Sequence, residues 1–223
     1  MRARLDQLLV EKGLFESRER ARRAVMAGWV KVDGVQVDKP GTSVSDTVEL
    51  EVEGPREPFV SRGGRKLEHA LDHFEIDPAD WTCLDVGAST GGFTDCLLQK
   101  GARRVYALDV GRGQLDFKLR GNPRVVTMEG VNARYLKPGD IPEPCQLITV
   151  DVSFISLVKL VPALLPVLAP DGYLLTLIKP QFEVGKGLVG KGGVVRDESL
   201  RQRIIQERGD DLASLGLALM GIV

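Results

Sequence analysis

Residues Leu84-Asp85-Val86-Gly87-Ala88-Ser89-Thr90-Gly91-Gly92-Phe93 decide how the rest of the chain is read. Thr82 to Val86 is short and mostly apolar, the pattern of a buried strand. Gly87 permits a sharp turn, and Gly91 and Gly92 let a backbone approach a ligand closely. Phe93, Cys96 and Leu97 then repeat at helical spacing. A second strand is predicted from Arg104 to Val110, with Asp109 near its end. That acid falls about 20 residues past the turn, where nucleotide-binding folds place a ribose-binding carboxylate.

The turn departs from the dinucleotide fingerprint G-x-G-x-x-G, because Gly87 and Gly91 are too far apart. Asp85 also sits just ahead of the first glycine, where its charge would repel a pyrophosphate seated on a helix N-terminus. A carboxylate there suits a ligand with positive charge and no phosphate. S-adenosylmethionine (SAM), with a sulfonium and an ammonium group, is such a ligand. The pattern D-x-G-x-x-x-G-G therefore favours SAM over NAD, with an ordinary tight turn of an α/β sheet as the remaining alternative. The predicted cofactor contacts are Asp85, Gly87, Ser89, Gly91, Gly92, Phe93, Asp109 and Asp151.

The remaining strands extend the same pattern. Val125, Val126 and Met128 form a third strand. Cys145 to Val150 is a fourth, followed by Asp151. Leu157 to Leu168 reads as an apolar helix containing prolines, and Tyr173 to Ile178 as a fifth strand followed by Lys179-Pro180. Strands alternating with helices predict an α/β, Rossmann-like parallel sheet covered on both faces. Ligands bind such sheets outside the carboxyl ends of the strands. Asp85, Asp109, Asp151 and Lys179 all fall there, and four charged residues along one edge are hard to explain as packing.

Asp151 and Lys179 end successive strands and are expected to face each other. A salt bridge is one reading. The other is a lysine general base beside a carboxylate, for removing the proton of a weakly acidic ribose 2′-hydroxyl. A lysine takes a proton only when neutral, which burial and a neighbouring cation favour. Lys66, in Ser61-Arg62-Gly63-Gly64-Arg65-Lys66 at the start of an amphipathic helix marked by Leu67, Ala70, Leu71 and Phe74, is placed as that second cation. His69 and His73 share the same helix, but no third ligand lies nearby, so no metal is assigned.

The bulk numbers set limits. With 223 residues, 43% of them hydrophobic and 27% charged, the chain fits a soluble globular protein of one large or two unequal domains. Cys83, Cys96 and Cys145 form no C-x-x-C pair and read as reduced core thiols of a cytoplasmic protein. No signal peptide is apparent. The most apolar stretch is broken by Lys159, Pro162 and Pro166 and falls short of the roughly 20 residues a membrane span needs.

The net charge is only −1, yet Ser17 to Lys31 holds five cations against one anion. Leu5, Leu8 and Leu9 form a stripe on one helix that Gly13 ends. Ser17 caps a second helix with Ala21, Ala24 and Val25 buried and Gly28 just past its end. Val30 to Val37 alternates around Asp33-Gly34, a strong hairpin signal, and Val48, Leu50 and Val52 alternate again. Clustered cations beside a small sheet suit recognition of folded RNA, with a protein-docking module as the alternative. Glu53 to Pro58 is a turn-rich boundary, giving domains 1–58 and 59–223.

This first module resembles the S-four RNA-binding domain, on Arg4-Leu5-Asp6, Ser17-Arg18 with Arg22, Gly28-Trp29-Val30 and Val32-Asp33-Gly34. The resemblance implies RNA contacts by Arg4, Arg18, Arg22, Arg23 and Lys31, extended by Arg62 and Arg65. The second module resembles the FtsJ/RrmJ-like ribose 2′-O-methyltransferases and their Lys-Asp-Lys-Glu tetrad. That resemblance implies Lys66, Asp151 and Lys179 as catalytic residues, with Lys179 the base.

The two modules together resemble the TlyA (hemolysin A) family, through V-S-R-G-G-R-K-L, D-V-G-A-S-T-G-G-F-T-D, D-V-S-F-I-S-L and L-I-K-P-Q-F-E. The family implies SAM-dependent methylation of cytidine 2′-hydroxyls in ribosomal RNA, with ribosomal subunits as partners. No residue matches the family's glutamate, since Leu217 to Val223 reads as the start of a sixth strand and the chain then stops. A truncated catalytic domain that binds SAM and methylates poorly is therefore expected, and a weak RNA-binding module assisting ribosome assembly is the runner-up. A membrane-active hemolysin finds no spanning helix or secretion signal. Amino-group methylation finds no N/D-P-P-Y/F run, since Asp151-Val152-Ser153-Phe154 stands in its place. Lys186 and Lys191, in the glycine-rich loop 185–193, read as substrate-contacting or solvated, on a loop able to act as a lid.

Overall fold

The computed structural model describes residues 2–15, 17–53, 58–184, 189–190 and 192–223. Lys186, Lys191 and the centre of the turn-rich boundary lie outside the described residues. The chain forms two compact units, Met1–Arg56 and Glu57–Val223.

The first unit begins with β1 (Arg2–Arg4), α1 (Leu5–Glu11) and α2 (Arg18–Met26). Ser17 caps α2, its side chain accepting the Arg20 N–H at 3.3 Å. Strands β2 (Val30–Val32), β3 (Val35–Gln36), β4 (Ser43–Ser45) and β5 (Leu50–Val52) follow. The β2–β3 hairpin turns through Asp33 and Gly34, both at positive φ (50° and 76°), as a two-residue primed turn requires. β5 pairs with the other side of β2, and β1 pairs antiparallel with β4, a pairing too short to show in the residue pattern. Leu5, Leu8, Leu9, Ala21, Ala24, Val25, Val30 and Val44 form the core.

The second unit opens with α3 (Gly63–His73) and runs through β6 (Thr82–Val86), α4 (Gly92–Gln99), β7 (Arg104–Asp109), α5 (Phe117–Arg120), β8 (Val125–Glu129), β9 (Cys145–Val150), α6 (Leu157–Leu164), β10 (Leu168–Thr176), α7 (Pro180–Glu183) and α8 (Glu198–Ser214). Its sheet has the order β10-β9-β6-β7-β8, with all strands parallel. The chain steps outward from β6 to β8 and then returns to the other side of β6. That reversal opens a crevice at the carboxyl ends of β6 and β9. Alternate residues face opposite sides. Cys83, Val105 and Leu147 pack with Leu67, Leu71, Cys96 and Leu97 of α3 and α4. Leu84, Tyr106 and Ile148 pack with Leu157, Leu160, Val161 and Leu164 of α6. Burial holds the Cys96 and Cys145 thiols up near about 12, so both are inert packing groups.

Several predicted boundaries move. α6 ends at Leu164, and Leu165–Val167 tightens into a 3-10 turn around Pro166, which cannot continue the α ladder. β10 starts at Leu168 and ends at Thr176, its register interrupted between Leu168 and Tyr173, where Pro170 and Gly172 sit. Lys179 therefore lies three residues past the strand rather than at its tip. Residues 217–223 form no strand. Their backbone pairs with no neighbour among the described residues, and Leu219, Gly221 and Ile222 instead line a groove with Phe74, Leu175 and Leu177. α8 had no counterpart in the sequence reading, because only Ile204 and Gly209 along its 17 residues are buried and no apolar stripe marks it.

Candidate active site

The glycine turn after β6 is built for close approach. Gly87 has φ 86°, and a Cβ added there would lie 2.6 Å from the Asp151 carbonyl oxygen, so the turn and the segment after β9 touch through bare backbone. The Gly87 and Ala88 N–H groups donate to Leu108 O at 2.8 and 3.1 Å, locking the turn to β7. Ser89 follows at φ 48° and donates its N–H to Asp109 Oδ2 at 2.8 Å. Gly111 N–H donates to Asp109 Oδ1 at 2.7 Å. Two backbone donors thus fix the Asp109 carboxylate and leave it further lone pairs to offer.

These residues border a cleft of about 710 Å³, within the size range of small-molecule sites. Val86, Leu108, Val110, Ala133 and Leu160 give it apolar walls, and Gln114, Asn132 and Arg134 add polar groups at its edge.

Of the predicted cofactor residues, Gly87, Ser89, Asp109 and Asp151 line the cleft. The others lie behind it. Phe93 is in the core, and Gly91, at φ 96°, leaves room for Leu115 and Leu119. A Cβ on Gly92 would stand 2.9 Å from the Gly64 nitrogen, so that glycine lets α3 and α4 meet. Asp85 is fully buried. Its carboxylate accepts Thr94 Oγ1 at 2.7 Å and Thr149 Oγ1 at 3.2 Å, joining α4 and β9 beneath the turn. Burial pushes its acid up to about 6, against the opposing pull of those hydroxyls.

The three predicted catalytic side chains meet. Lys179 Nζ lies 2.5 Å from Asp151 Oδ1, and Lys66 Nζ, reaching in from α3, lies 3.8 Å from Asp151 Oδ2. Lys179 and Asp151 are about one-fifth exposed, whereas Lys66 is 57% exposed. Lys179 also donates to Ser153 Oγ at 3.3 Å, a partner the sequence did not reveal. Phe154, next along, has φ 67° and is 90% exposed, with its ring 4.9 Å from that of Phe182. A bulky residue held at positive φ is a strained placement, and strain of this kind gathers at functional sites. Nothing local in Asp151-Val152-Ser153-Phe154 encodes it.

In the first unit, Asp6 is buried and collects two of the predicted RNA-contacting arginines. Arg4 donates to both its oxygens at 3.1 Å, and Arg18 Nε donates to Oδ2 at 3.0 Å. The Arg4 guanidinium, and then that of Arg18, hold the Asp6 carboxyl below the usual carboxylate range despite its burial. Arg23 pairs with Glu19 at 3.2 Å and Lys31 with Glu53 at 2.5 Å, so part of the basic charge is countered locally. Arg22 is exposed. Arg62 and Arg65, in the second unit, are exposed on and just before the first turn of α3, beside Lys66.

A family model described as FtsJ-like methyltransferase matches residues 59–217, and the S4 domain model matches residues 3–50. The chain belongs to the FtsJ-like methyltransferase family. This FtsJ-like chain is 48% identical over 222 residues to the 16S/23S rRNA (cytidine-2'-O)-methyltransferase TlyA of Mycobacterium tuberculosis, covering 99% of this chain and 83% of the relative. It is 46% identical over 206 residues to Hemolysin A of Brachyspira hyodysenteriae, covering 91% of this chain and 84% of that one. A solved structure of a Streptococcus thermophilus protein provisionally called a hemolysin superposes with a TM-score of 0.74 at 43% identity, covering 99% of this chain and 81% of that one. Among the described residues of this methyltransferase-family chain, no helix is long and apolar enough to cross a membrane.

Proposed function

We propose that the chain methylates the 2′-hydroxyl of a cytidine ribose in ribosomal RNA, with SAM as donor. The observation that carries this reading is the Lys66–Asp151–Lys179 cluster beside a nucleoside-sized cleft. A relative 48% identical is named for that activity. The residues present fit the donor. Asp109 has lone pairs free for ribose hydroxyls, the apolar walls suit an adenine ring, and Gly87, packed as bare backbone against Asp151, holds the turn and the segment after β9 together at the cleft. Bound SAM supplies an electrophilic methyl group on its sulfonium.

The chain's own residues do the rest. Lys179, as the free amine, takes the proton of the 2′-hydroxyl at Nζ as that oxygen becomes the nucleophile. Asp151 and Ser153 hold Nζ in place, and Lys66 brings a neighbouring positive charge to the same carboxylate. Phe154 offers an exposed ring on which the target base can stack once it leaves its helix. Residues 1–58 serve as the RNA-binding part, through Arg4, Arg18 and Arg22, and residues 59–223 as the catalytic part.

The test is transfer of labelled methyl from SAM to ribosomal subunits taken from a strain lacking the enzyme. The wild-type chain is compared with Lys179→Ala. Label at a 2′-oxygen, recognised by resistance of the adjacent phosphodiester to alkali, lost in the variant while RNA binding persists, is the expected result. Unchanged transfer by Lys179→Ala removes the base assignment. Label on a base means amino-group or ring methylation instead. RNA binding without transfer by either chain means a binding module of ribosome assembly.

A further inference from the structure

The segment that carries Lys179 continues directly into α7, whose last residue is Glu183. Its side chain is 2% exposed. Oε2 accepts the Ser156 hydroxyl at 2.6 Å, and Oε1 accepts the Leu157 N–H at 2.9 Å. Ser156 and Leu157 open α6, so the carboxylate caps that helix from outside, at the end where partial positive charge gathers. Arg208 of α8 closes the arrangement at 3.3 Å from Oε2 and is itself held by Asp211 at 2.6 Å.

The place of this cap in the chain matters more than its strength. Residues 151–156 form the loop after β9, and residues 177–183 the segment after β10. Asp151 and Ser153 stand on the first and Lys179 on the second, and they meet at one end of this junction. At the other end Glu183 grips Ser156 and Leu157. The two segments are therefore pinned to each other at both ends. Loop residues at an exposed crevice have few buried contacts to fix them, so such a pin decides how narrowly Nζ is held over its carboxylate. A neutral hydrogen-bonding residue would satisfy packing at this position. A buried carboxylate with its own arginine is a costlier choice, and needs a reason.

We infer that Glu183 is a positioning residue for methyl transfer. It sets the Lys179–Asp151 geometry by tying the loop after β9 to the segment after β10, and it does not touch substrate. The inference rests on Lys179 acting as the base.

The test uses the full chain with Glu183→Gln and, as a second variant that leaves the carboxylate in place, Arg208→Gln. SAM-competent sites are counted by calorimetry, and methyl transfer to ribosomal RNA is followed across pH. Per competent site, kcat falls roughly 10- to 100-fold in Glu183→Gln, the cost of a small misplacement of a reacting group, with KM for SAM and for RNA near wild type. The pH at half-maximal rate moves away from the wild-type value, and Arg208→Gln changes the same two quantities by less. A merely structural residue would lower the number of competent sites and leave the per-site rate and pH profile intact, and that result overturns the inference. Loss of SAM binding by both variants also overturns it, making Glu183 a folding residue. Lys179→Ala run alongside separates the two readings. If it transfers methyl at the wild-type rate, the base assignment has failed; if it is inactive while Glu183→Gln equals wild type, only the positioning role has.

Discussion

Replacing Asp85 by asparagine keeps the shape of the group that joins Thr94 and Thr149 and removes its ability to ionise. The carboxyl is fully buried, and burial moves its titration from the ordinary 3.8 to about 6. Between those values the folded chain holds a proton that the unfolded chain has released. Stability therefore falls as pH rises across this window and levels off above it. At about 1.36 kcal/mol per pH unit the whole interval is worth about 3 kcal/mol, most of it lost between about pH 4 and 6. Asp85→Asn escapes that loss. Its stability relative to wild type rises by about 2 kcal/mol between about pH 4 and 6, by a further few tenths up to about pH 7, and is constant beyond. Urea unfolding of both proteins over this range checks it. Trp81, next to β6, serves as the reporter in a Trp29→Phe background so that the second unit is read by itself. A difference that stays flat within about 0.5 kcal/mol refutes the reasoning, because the carboxylate would then ionise in the fold as easily as in water.

Other outcomes follow from the same geometry. Gly87→Ala must hold φ 86° and place a methyl 2.6 Å from the Asp151 carbonyl, so it costs about 1–2 kcal/mol in backbone conformation alone and pushes the loop after β9 away; calorimetry should show weakened SAM binding even where the fold survives. Asp6→Asn removes the shared partner of Arg4 and Arg18 and costs about 1–2 kcal/mol at neutral pH, discounted because both guanidiniums are half exposed. Since those arginines hold Asp6 below the usual carboxylate range, this contribution is present above about pH 4 and disappears as pH falls through the folded value. Denaturation of the first unit at pH 7 and pH 2.5 should show the gap between variant and wild type closing in acid. Arg22→Ala should weaken RNA binding evenly across sequences and reduce the slope of log affinity against log salt by about one. An unchanged slope would remove Arg22 from the phosphate-contacting set.

Much of this architecture was written along the chain, because its signals are local. β6 and β9 are mostly apolar stretches of five and six residues between turn signals, and their bounds, Thr82–Val86 and Cys145–Val150, coincide with those read from the residues. The Asp33-Gly34 hairpin and the Ser17 cap are equally local, each fixed by the backbone preferences of one or two side chains. That Asp109, Asp151 and Lys179 gather at one edge also followed, since strand ends in a parallel sheet share an edge.

What the chain could not announce depends on which element covers a strand end and on partners brought in by the fold. Asp85 lies one residue inside the end of β6 on the face that α4 covers, so Thr94 reaches it, whereas Asp109, on the same face, ends β7 two residues further along and reaches the cleft. Phe154 takes φ 67° because the surrounding loop imposes it, against its own preference. The tail from Leu217 is an apolar run that reads as a strand, yet a strand exists only where a neighbour supplies hydrogen bonds, and none of the described residues does. Glu183 looks like any surface acid until α6 and α8 bring Ser156, Leu157 and Arg208 to it. Sequence alone determined β6, β9, the Asp33-Gly34 hairpin and the arrival of Asp109, Asp151 and Lys179 at the sheet edge, because those follow from periodicity and turn chemistry. Tertiary structure alone decided which carboxylates face the cleft and which brace it, because that depends on which helix covers each strand end and on contacts such as Ser156–Glu183, 27 residues apart.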